Sequence, residues 1–277
     1  MDKQFWLSIK EKDFALPVGY PIPVLTENLL ATIGSIDPEL RDTLGLEVFY
    51  HWLQQGIYDR DALRDLIAHL LRNLQQGIGE TEGDAIFLRS FSALWLSLIV
   101  ENDSETPVLE PEDIASILEA ALAYFTAESD LRGYVPIKGY AHGIAHASDL
   151  LGALASSAHT NAGDHLRILA CMAGKLNAST HGIYLYNEDS RIARATARVF
   201  LRDTLTLSQI ENWLTSLSAL WNGAWQNEDR TRAYNNGRNF VRALVLLILN
   251  LKVDKVPNEE ELLQLLLSAL SQATPWE

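Results

Sequence analysis

Apolar residues recur at three- and four-residue intervals along most of the chain, and this spacing is typical of amphipathic helices. The polar segments between them carry helix-start signals, in which a capping side chain or a proline precedes an apolar run. No run alternates apolar and polar residues in the way that predicts a strand. Helices are predicted to open at Asp37-Pro38, Asp59, Glu110-Pro111, Thr160-Asn161, Thr206 and Pro257-Asn258.

The helix pattern repeats along the chain. The residues just before five predicted helix starts are spaced 51, 51, 45 and 51 positions apart, and each follows an earlier helix and a short polar loop. We call them the anchor residues: Tyr58, Leu109, Thr160, Leu205 and Val256. A helix pair of roughly this period is close to HEAT and armadillo units. The sequence therefore predicts an all-α fold of antiparallel helix pairs, repeating at about 50 residues and stacked into a HEAT-like superhelix or partial toroid.

The domain organisation follows from the continuity of this pattern. No low-complexity linker interrupts the chain, so residues 1–277 are predicted to form a single helical-repeat domain. Residues 1–35 form its N-terminal cap, and the three prolines within residues 16–23 predict an extended segment there.

The most polar part of the pattern is the stretch from Asp130 to Leu151. Its glycines and Pro136 predict a loop over residues 131–138, and helical spacing begins at about Gly139. His142 and His146 then lie one turn apart on one helical face, with Asp149 on the same side. His146 is expected to lie deeper than His142, and Gly143 within the helix indicates close packing or ligand access.

The repeat period places this histidine pair in register with later units. The positions 18 and 14 residues before the last three anchors are His142 and His146, then Asn187 and Arg191, then Arg238 and Arg242, whereas the first two anchors give apolar residues there. Equivalent positions in stacked helices face the same way. The sequence thus predicts a concave polar pocket built from Asp130, Arg132, Lys138, His142, His146, Asp149, Glu188, Arg191, Arg238 and Arg242.

Composition limits the function classes. The formal net charge of −14 argues against nucleic acid and against an anionic membrane surface, both of which need clustered Lys and Arg. The single cysteine, Cys171, excludes an internal disulfide and a cysteine-based zinc cluster. With no charged-then-apolar leader at the N-terminus, these features predict a cytoplasmic protein.

The polar stretch also carries a resemblance. The run D-L-R-G-Y-V-x-x-K-G-Y-A-H-x-x-A-H-x-x-D-L-L from Asp130 is similar to the core signature of a bacterial family, domain of unknown function 2785. Residues 187–191 and 235–244 resemble further landmarks of that family. The resemblance implies an all-helical protein with no assigned activity.

Two function classes stay open. The favoured one is a binding scaffold for a small anionic ligand or a protein partner, in which the arginines supply bidentate donors. The alternative is a metal-dependent or acid–base hydrolase that uses His142 or His146 with Asp149 or Asp130. No cofactor is predicted, but a divalent metal could take His142, His146 and Asp149, with His181 or Glu188 as a fourth ligand. Structural hydrogen bonds and inter-helix ion pairs would explain the same residues without any ligand.

Overall fold

A computed structural model describes residues 1–178, 180–251 and 257–274, and helices dominate it. The all-α prediction is confirmed, with one two-stranded antiparallel hairpin in the described part of the chain. The elements are α1 Lys3–Lys10, α2 Ile22–Leu30, a π-helix Glu39–Leu46 continued by α3 Glu47–Gln54, α4 Arg60–Asn73, α5 Ala85–Glu105, α6 Pro111–Ala127, β1 Tyr134–Val135, β2 Gly139–Tyr140, α7 Gly143–Ser156, α8 Ala162–Asn177, α9 Glu188–Leu201, α10 Leu207–Ser216, α11 Ser218–Asn222, α12 Glu228–Asn250 and α13 Glu259–Ala273.

At four of the predicted helix starts, those of α4, α6, α8 and α10, local side chains accept from free N–H groups of the first turn. Asp59 accepts from the Ala62 N–H at 2.9 Å, and capping boxes begin α6, α8 and α10. The anchor residues each stand immediately before such a cap, and all four that the structure describes are buried: Tyr58, Leu109, Thr160 and Leu205. Val256 lies outside the described residues.

The helices pack in two rows. One row runs α5, α7, α9 and α12, each packed against the next, and the other runs α4, α6, α8, α10 and α13. Contacts of α6 with α7 and of α8 with α9 join the rows, and one continuous hydrophobic cluster extends from Trp6 to Ala269. The row through α7, α9 and α12 contains most of the predicted polar positions.

Helix α5 is both long and apolar. Among the described helices, it alone is long and apolar enough to cross a membrane by length and composition. Two-thirds of that apolar window, 67%, is buried against other helices, as is usual for a central core helix. Its packing on α4 and α7 therefore accounts for its composition.

Candidate functional site

The β1–β2 hairpin is the first element of the site. It lies largely within residues 131–138, which the sequence predicts to be a loop. Tyr134 pairs with Tyr140 and Val135 with Gly139, and the Lys138 N–H donates to the Val135 carbonyl at 3.1 Å across the turn. Helix α7 starts at Gly143 rather than near Gly139, because the hairpin occupies the intervening residues.

A buried arginine from the N-terminal part of the chain holds this hairpin. Arg41 of the π-helix is fully buried and donates from Nη2 to the Lys138 carbonyl at 2.9 Å and from Nη1 to the Ser35 carbonyl at 2.6 Å. Its guanidinium lies 4.3 Å and 4.6 Å from the ring centres of Phe87 and Phe91. Burial lowers the pKa of Arg41. No local sequence motif marks Arg41 as part of a site, because a single arginine in an amphipathic helix looks the same whether it is buried or exposed.

His142 occupies the N-cap of α7 in the left-handed conformation, with φ 52°, rather than a position within the helix as predicted. Asn187 is the N-cap of α9 and is also left-handed, with φ 68°. His142 and Asn187, which the predicted register pairs, thus occupy the same position relative to the helix that follows each of them. The register does not extend to α12, because α12 starts at Glu228 and Arg238 lies well inside it.

The two histidine rings lie close together at the start of α7, with their planes tilted by 59°. Their ring centroids are 5.4 Å apart, Tyr140 stacks on His142 at 4.6 Å, and Phe91 meets His146 edge-on at 4.9 Å. His146 is 6% exposed and lies deeper than the half-buried His142, as predicted. The Nδ1 atom of each ring is buried without a hydrogen-bond partner in the described part of the chain.

Burial keeps both imidazoles neutral at pH 7. It lowers the pKa of His142 to about 4, and the positive charge of Arg191 acts in the same direction. The pKa of His146 lies well below its usual value, chiefly through burial and then through His142 and Arg191, although the Ser90 carbonyl opposes the shift. Arg191 is therefore near enough to act electrostatically on both rings.

Arg191 connects the histidines to a buried carboxylate. It donates from Nη1 to Asp149, whose side chain is mostly buried. Burial raises the pKa of Asp149, and Arg191 opposes that rise. Among the described residues, the Nε and Nη2 groups of Arg191 donate to no protein acceptor, and a third of the side chain is exposed. Arg191 therefore keeps free donors beside the histidine pair.

Glu188 begins α9 one turn before Arg191. Its Oε2 accepts from the Tyr186 N–H at 2.9 Å, whereas its Oε1 is buried without a partner in the described residues. Burial raises the pKa of Glu188. Its carboxylate therefore fixes the loop that presents Tyr186 to the site.

The other predicted site residues have different roles. Arg132 is bound to the buried carboxylate of Asp130 and to the backbone carbonyls of Glu82 and Gly83, so its donors are used. Lys138 pairs with Asp84 at 2.7 Å.

Neighbours on its own helix place Arg238 of α12. Arg238 donates to Asn235 at 3.0 Å and lies over the Tyr234 ring, and Arg242 is one turn further along the helix. The structure thus pairs Arg191 with Asp149, places Arg191 within electrostatic range of His142 and His146, and puts the α12 arginines on the neighbouring helix of the same row.

A cavity of about 570 Å³ lies on the other side of the Asp130–Arg132 segment. It is lined mainly by the C-terminal ends of α6 and α8 and by residues 180–184, and of the residues predicted for the polar pocket Arg132 lines it, together with His181, the possible fourth metal ligand. Lys175, which sequence analysis missed, lies in its wall and donates to the carbonyls of Thr126 and Glu128 at 2.9 Å and 2.7 Å. The predicted pocket and this cavity are therefore different places.

Metal ligation finds no support in the geometry. Over residues 1–178, 180–251 and 257–274, no group of three or more His, Cys, Asp or Glu side chains is placed to hold a metal ion. The proposed ligands have separate partners in the protein, because Asp149 is bound to Arg191 and His181 pairs with Asp229 at 3.0 Å.

Two further buried groups were missed or misplaced by sequence analysis. Arg89 and Glu128 form a fully buried bidentate ion pair, with Nε to Oε2 at 2.8 Å and Nη2 to Oε1 at 3.1 Å. His165, expected on a loop or solvent face, is fully buried and bonds the Thr204 hydroxyl at 2.6 Å and the Ala155 carbonyl at 3.1 Å. Both are structural.

Gly143 is required by packing, and this gives a first prediction. A Cβ there would lie 2.9 Å from Ile86 Cδ1 and 3.2 Å from the Asp130 carbonyl oxygen. Gly143→Ala should therefore lower the free energy of unfolding by about 1–3 kcal/mol through overpacking. Gly174→Ala is the matched control in α8, where nothing lies within 4 Å, and should stabilise by about 1 kcal/mol. Urea denaturation compares them, and equal changes in both would contradict the close packing at Gly143.

The fold and site define a class: an all-helical protein of two packed helical rows, with a histidine–arginine cluster at the start of two neighbouring helices. The chain belongs to the family described as "Protein of unknown function (DUF2785)", which matches residues 74–246. The match covers more than half of the chain and includes α5 to α9, the hairpin and most of α12. No curated protein and no solved structure matches the chain.

Proposed function

We propose that this protein is a binding scaffold whose α7–α9 face takes an anionic ligand, with Arg191 as the central donor. The observation that carries the proposal is the free part of the Arg191 guanidinium beside two neutral, buried histidines. Arginine offers a planar fork to carboxylate or phosphate, and a neutral imidazole can donate one further hydrogen bond. Buried Nδ1 atoms without a partner are costly, so a ligand that reaches them gains binding free energy.

Positive charge is concentrated on this face although the protein is acidic overall. Arg191, Arg194 and Arg198 lie at i, i+3 and i+7 on α9, so they share one side of the helix. Asp149 pairs with Arg191, and Glu101 pairs with Arg198 at 2.8 Å. Arg194 is exposed and has no ion-pair partner among the described residues. Arg238 and Arg242 extend the arginine set onto the adjoining helix α12.

The hydrolase alternative has less support. Its two candidate carboxylates are each bound to an arginine, Asp149 to Arg191 and Asp130 to Arg132. A general base works best with a pKa near the operating pH, and the pKa of His142 is lowered to about 4. Binding therefore accounts for the cluster better than acid–base chemistry does.

The wider setting belongs to the same proposal. We propose that residues 1–277 form a single HEAT-like repeat domain of a cytoplasmic bacterial protein, in which the two helical rows curve around the site. The recurring buried anchor residues before α4, α6, α8 and α10 support the repeat, and the lone Cys171 fits a reducing compartment.

Titration with inorganic phosphate tests the anion site. We expect phosphate to raise the melting temperature and to bind in calorimetry, with an affinity that falls as salt is added. Arg191→Lys keeps the charge opposite Asp149 but loses the planar fork, and should weaken binding roughly tenfold.

Arg167→Lys is the matched control for that variant. Arg167 also pairs with a carboxylate, Glu119 at 2.7 Å, but on α8 in the other row. It should bind phosphate like the unaltered protein. Absence of phosphate binding, or equal affinity in Arg191→Lys and Arg167→Lys, would overturn the proposal.

A further inference from the structure

An exposed apolar surface adjoins the histidine–arginine cluster. We call it the hairpin patch: Tyr134, Ile137, Tyr140, Leu185 and Tyr186. Ile137 is 92% exposed and Leu185 72%, and the three tyrosines are each at least one-third exposed. The tyrosine rings pack edge-on, with centroids 5.3 Å apart for Tyr134 and Tyr140 and 6.1 Å apart for Tyr140 and Tyr186. Clustered exposed apolar residues mark interaction sites, and tyrosine is enriched in their cores.

The patch is held rigidly, so its exposure does not come from a loose loop. Arg41 holds the hairpin by donating to the Lys138 carbonyl, and the Ala141 N–H donates to the Gly133 carbonyl at 2.7 Å. The Tyr186 ring lies directly on Gly133, where a Cβ would come within 1.9 Å of it. A preformed surface loses little conformational entropy when a partner binds.

Ile137 is the least expected member of the patch. It takes the third position of the turn from Val135 to Lys138 with φ 70°, a conformation that usually requires glycine or asparagine. A β-branched residue is strained there, and its side chain gains nothing by packing against its own protein because it is almost wholly exposed. Contact with another molecule would account for a large apolar side chain at this position.

The patch is continuous with the arginine face. Tyr140 stacks on His142 at 4.6 Å, and Arg191 acts electrostatically on that histidine. Beyond Arg191, the guanidinium of Arg194 is exposed and has no ion-pair partner among the described residues. A partner that spans both regions therefore needs a large apolar side chain for the patch and a negative charge for the arginines.

We propose that the hairpin patch and the α9 arginines together bind an extended acidic segment of a partner protein. A large apolar side chain of that segment packs on Ile137 and the tyrosines, and an Asp or Glu of the segment pairs with Arg191 and Arg194. This inference rests on the proposed function and names the class of ligand that it takes. A second copy would bring its whole net charge of −14 against the −14 of this chain, whereas a short segment brings only the few carboxylates that pair locally with the arginines.

Selection from a displayed library of random linear peptides tests the inference, followed by fluorescence anisotropy of the enriched peptides. We expect enrichment of sequences that combine Asp or Glu with Leu, Phe, Tyr or Trp. Ile137→Gly removes the apolar contact while suiting the positive φ, so the variant should fold and should weaken peptide binding roughly tenfold. Val18→Gly, at a distant residue that is 99% exposed, is the control and should change nothing.

Arg194→Gln separates this inference from the anion site itself. It should weaken the enriched peptides and reduce the dependence of their affinity on salt, whereas Arg167→Gln should not. Acidic peptides that bind Ile137→Gly as well as the unaltered protein would overturn the inference and leave the anion site standing.

Three other outcomes would also overturn it. Peptides that need Ile137 but carry no acid and ignore Arg194→Gln would contradict the acidic class, and the phosphate titration would then decide separately whether the anion site exists. Basic peptides or no enrichment would exclude the proposed segment. Self-association that rises with protein concentration and disappears in Ile137→Gly would assign the patch to a second copy of the chain.

Discussion

Replacing Arg89 by leucine should lower the free energy of unfolding by about 3–5 kcal/mol, because it leaves the Glu128 carboxylate buried without its counter-charge. Both side chains of this pair are fully buried, and Glu128 Oε1 also accepts from the Asp130 N–H at 2.9 Å. The pair therefore fixes the start of the segment that leads into the hairpin. Guanidinium chloride denaturation followed by circular dichroism measures the loss.

An exposed ion pair provides the control. Arg64 contacts Asp113 at 3.1 Å with nearly half of its side chain exposed, so Arg64→Leu should cost no more than about 1 kcal/mol. The double variant Arg89→Leu/Glu128→Gln should recover part of the loss, since the neutral amide can still accept from Asp130. If Arg89→Leu cost as little as Arg64→Leu, the buried pair would not contribute as described.

Acidification should destabilise the protein through the histidine pair, and this is the second large effect. The folded state holds the pKa of His142 at about 4 and that of His146 well below its usual value. Between about pH 6.5 and pH 4 the unfolded chain therefore binds more protons than the folded protein does. The stability that the two neutral histidines contribute is complete above pH 6.5 and is lost as the pH falls through this window. Each histidine contributes a slope of at most about 1.4 kcal/mol per pH unit, and partly exposed His142 less than His146.

The double variant His142→Asn/His146→Gln isolates this effect. Asparagine suits the left-handed N-cap, as Asn187 does in α9, so the fold should be kept. The difference in unfolding free energy between the unaltered protein and the variant should shrink as the pH falls from 6.5 to 4.5. Asp149 and Glu188 are present in both proteins, so their raised pKa values largely cancel from the difference.

His159→Gln is the matched control, because His159 is an exposed histidine in the loop before α8. It should follow the unaltered protein at every pH. A difference between the unaltered protein and the double variant that stays constant with pH would contradict the burial of the two imidazoles.

The helix starts could be predicted from the sequence alone, because they depend on residues that are close together along the chain. Asp59 caps α4 through an N–H three residues away, and the capping boxes of α6, α8 and α10 close over the same distance. Such signals are read directly from composition and spacing. The repeat period likewise gave the equivalence of His142 and Asn187, because the same backbone unit recurs at the start of α7 and α9.

The pairing of charged side chains could not be predicted from the sequence, because it depends on the tertiary structure. Arg41 reaches a carbonyl 97 positions away, Lys138 a carboxylate 54 positions away and Arg89 a carboxylate 39 positions away. These pairings depend on how the helices stack, and the helical period only states which side of its own helix a residue occupies. Arg132 and Arg191 thus looked alike in the sequence, but packing uses the donors of Arg132 and leaves part of Arg191 open to a ligand.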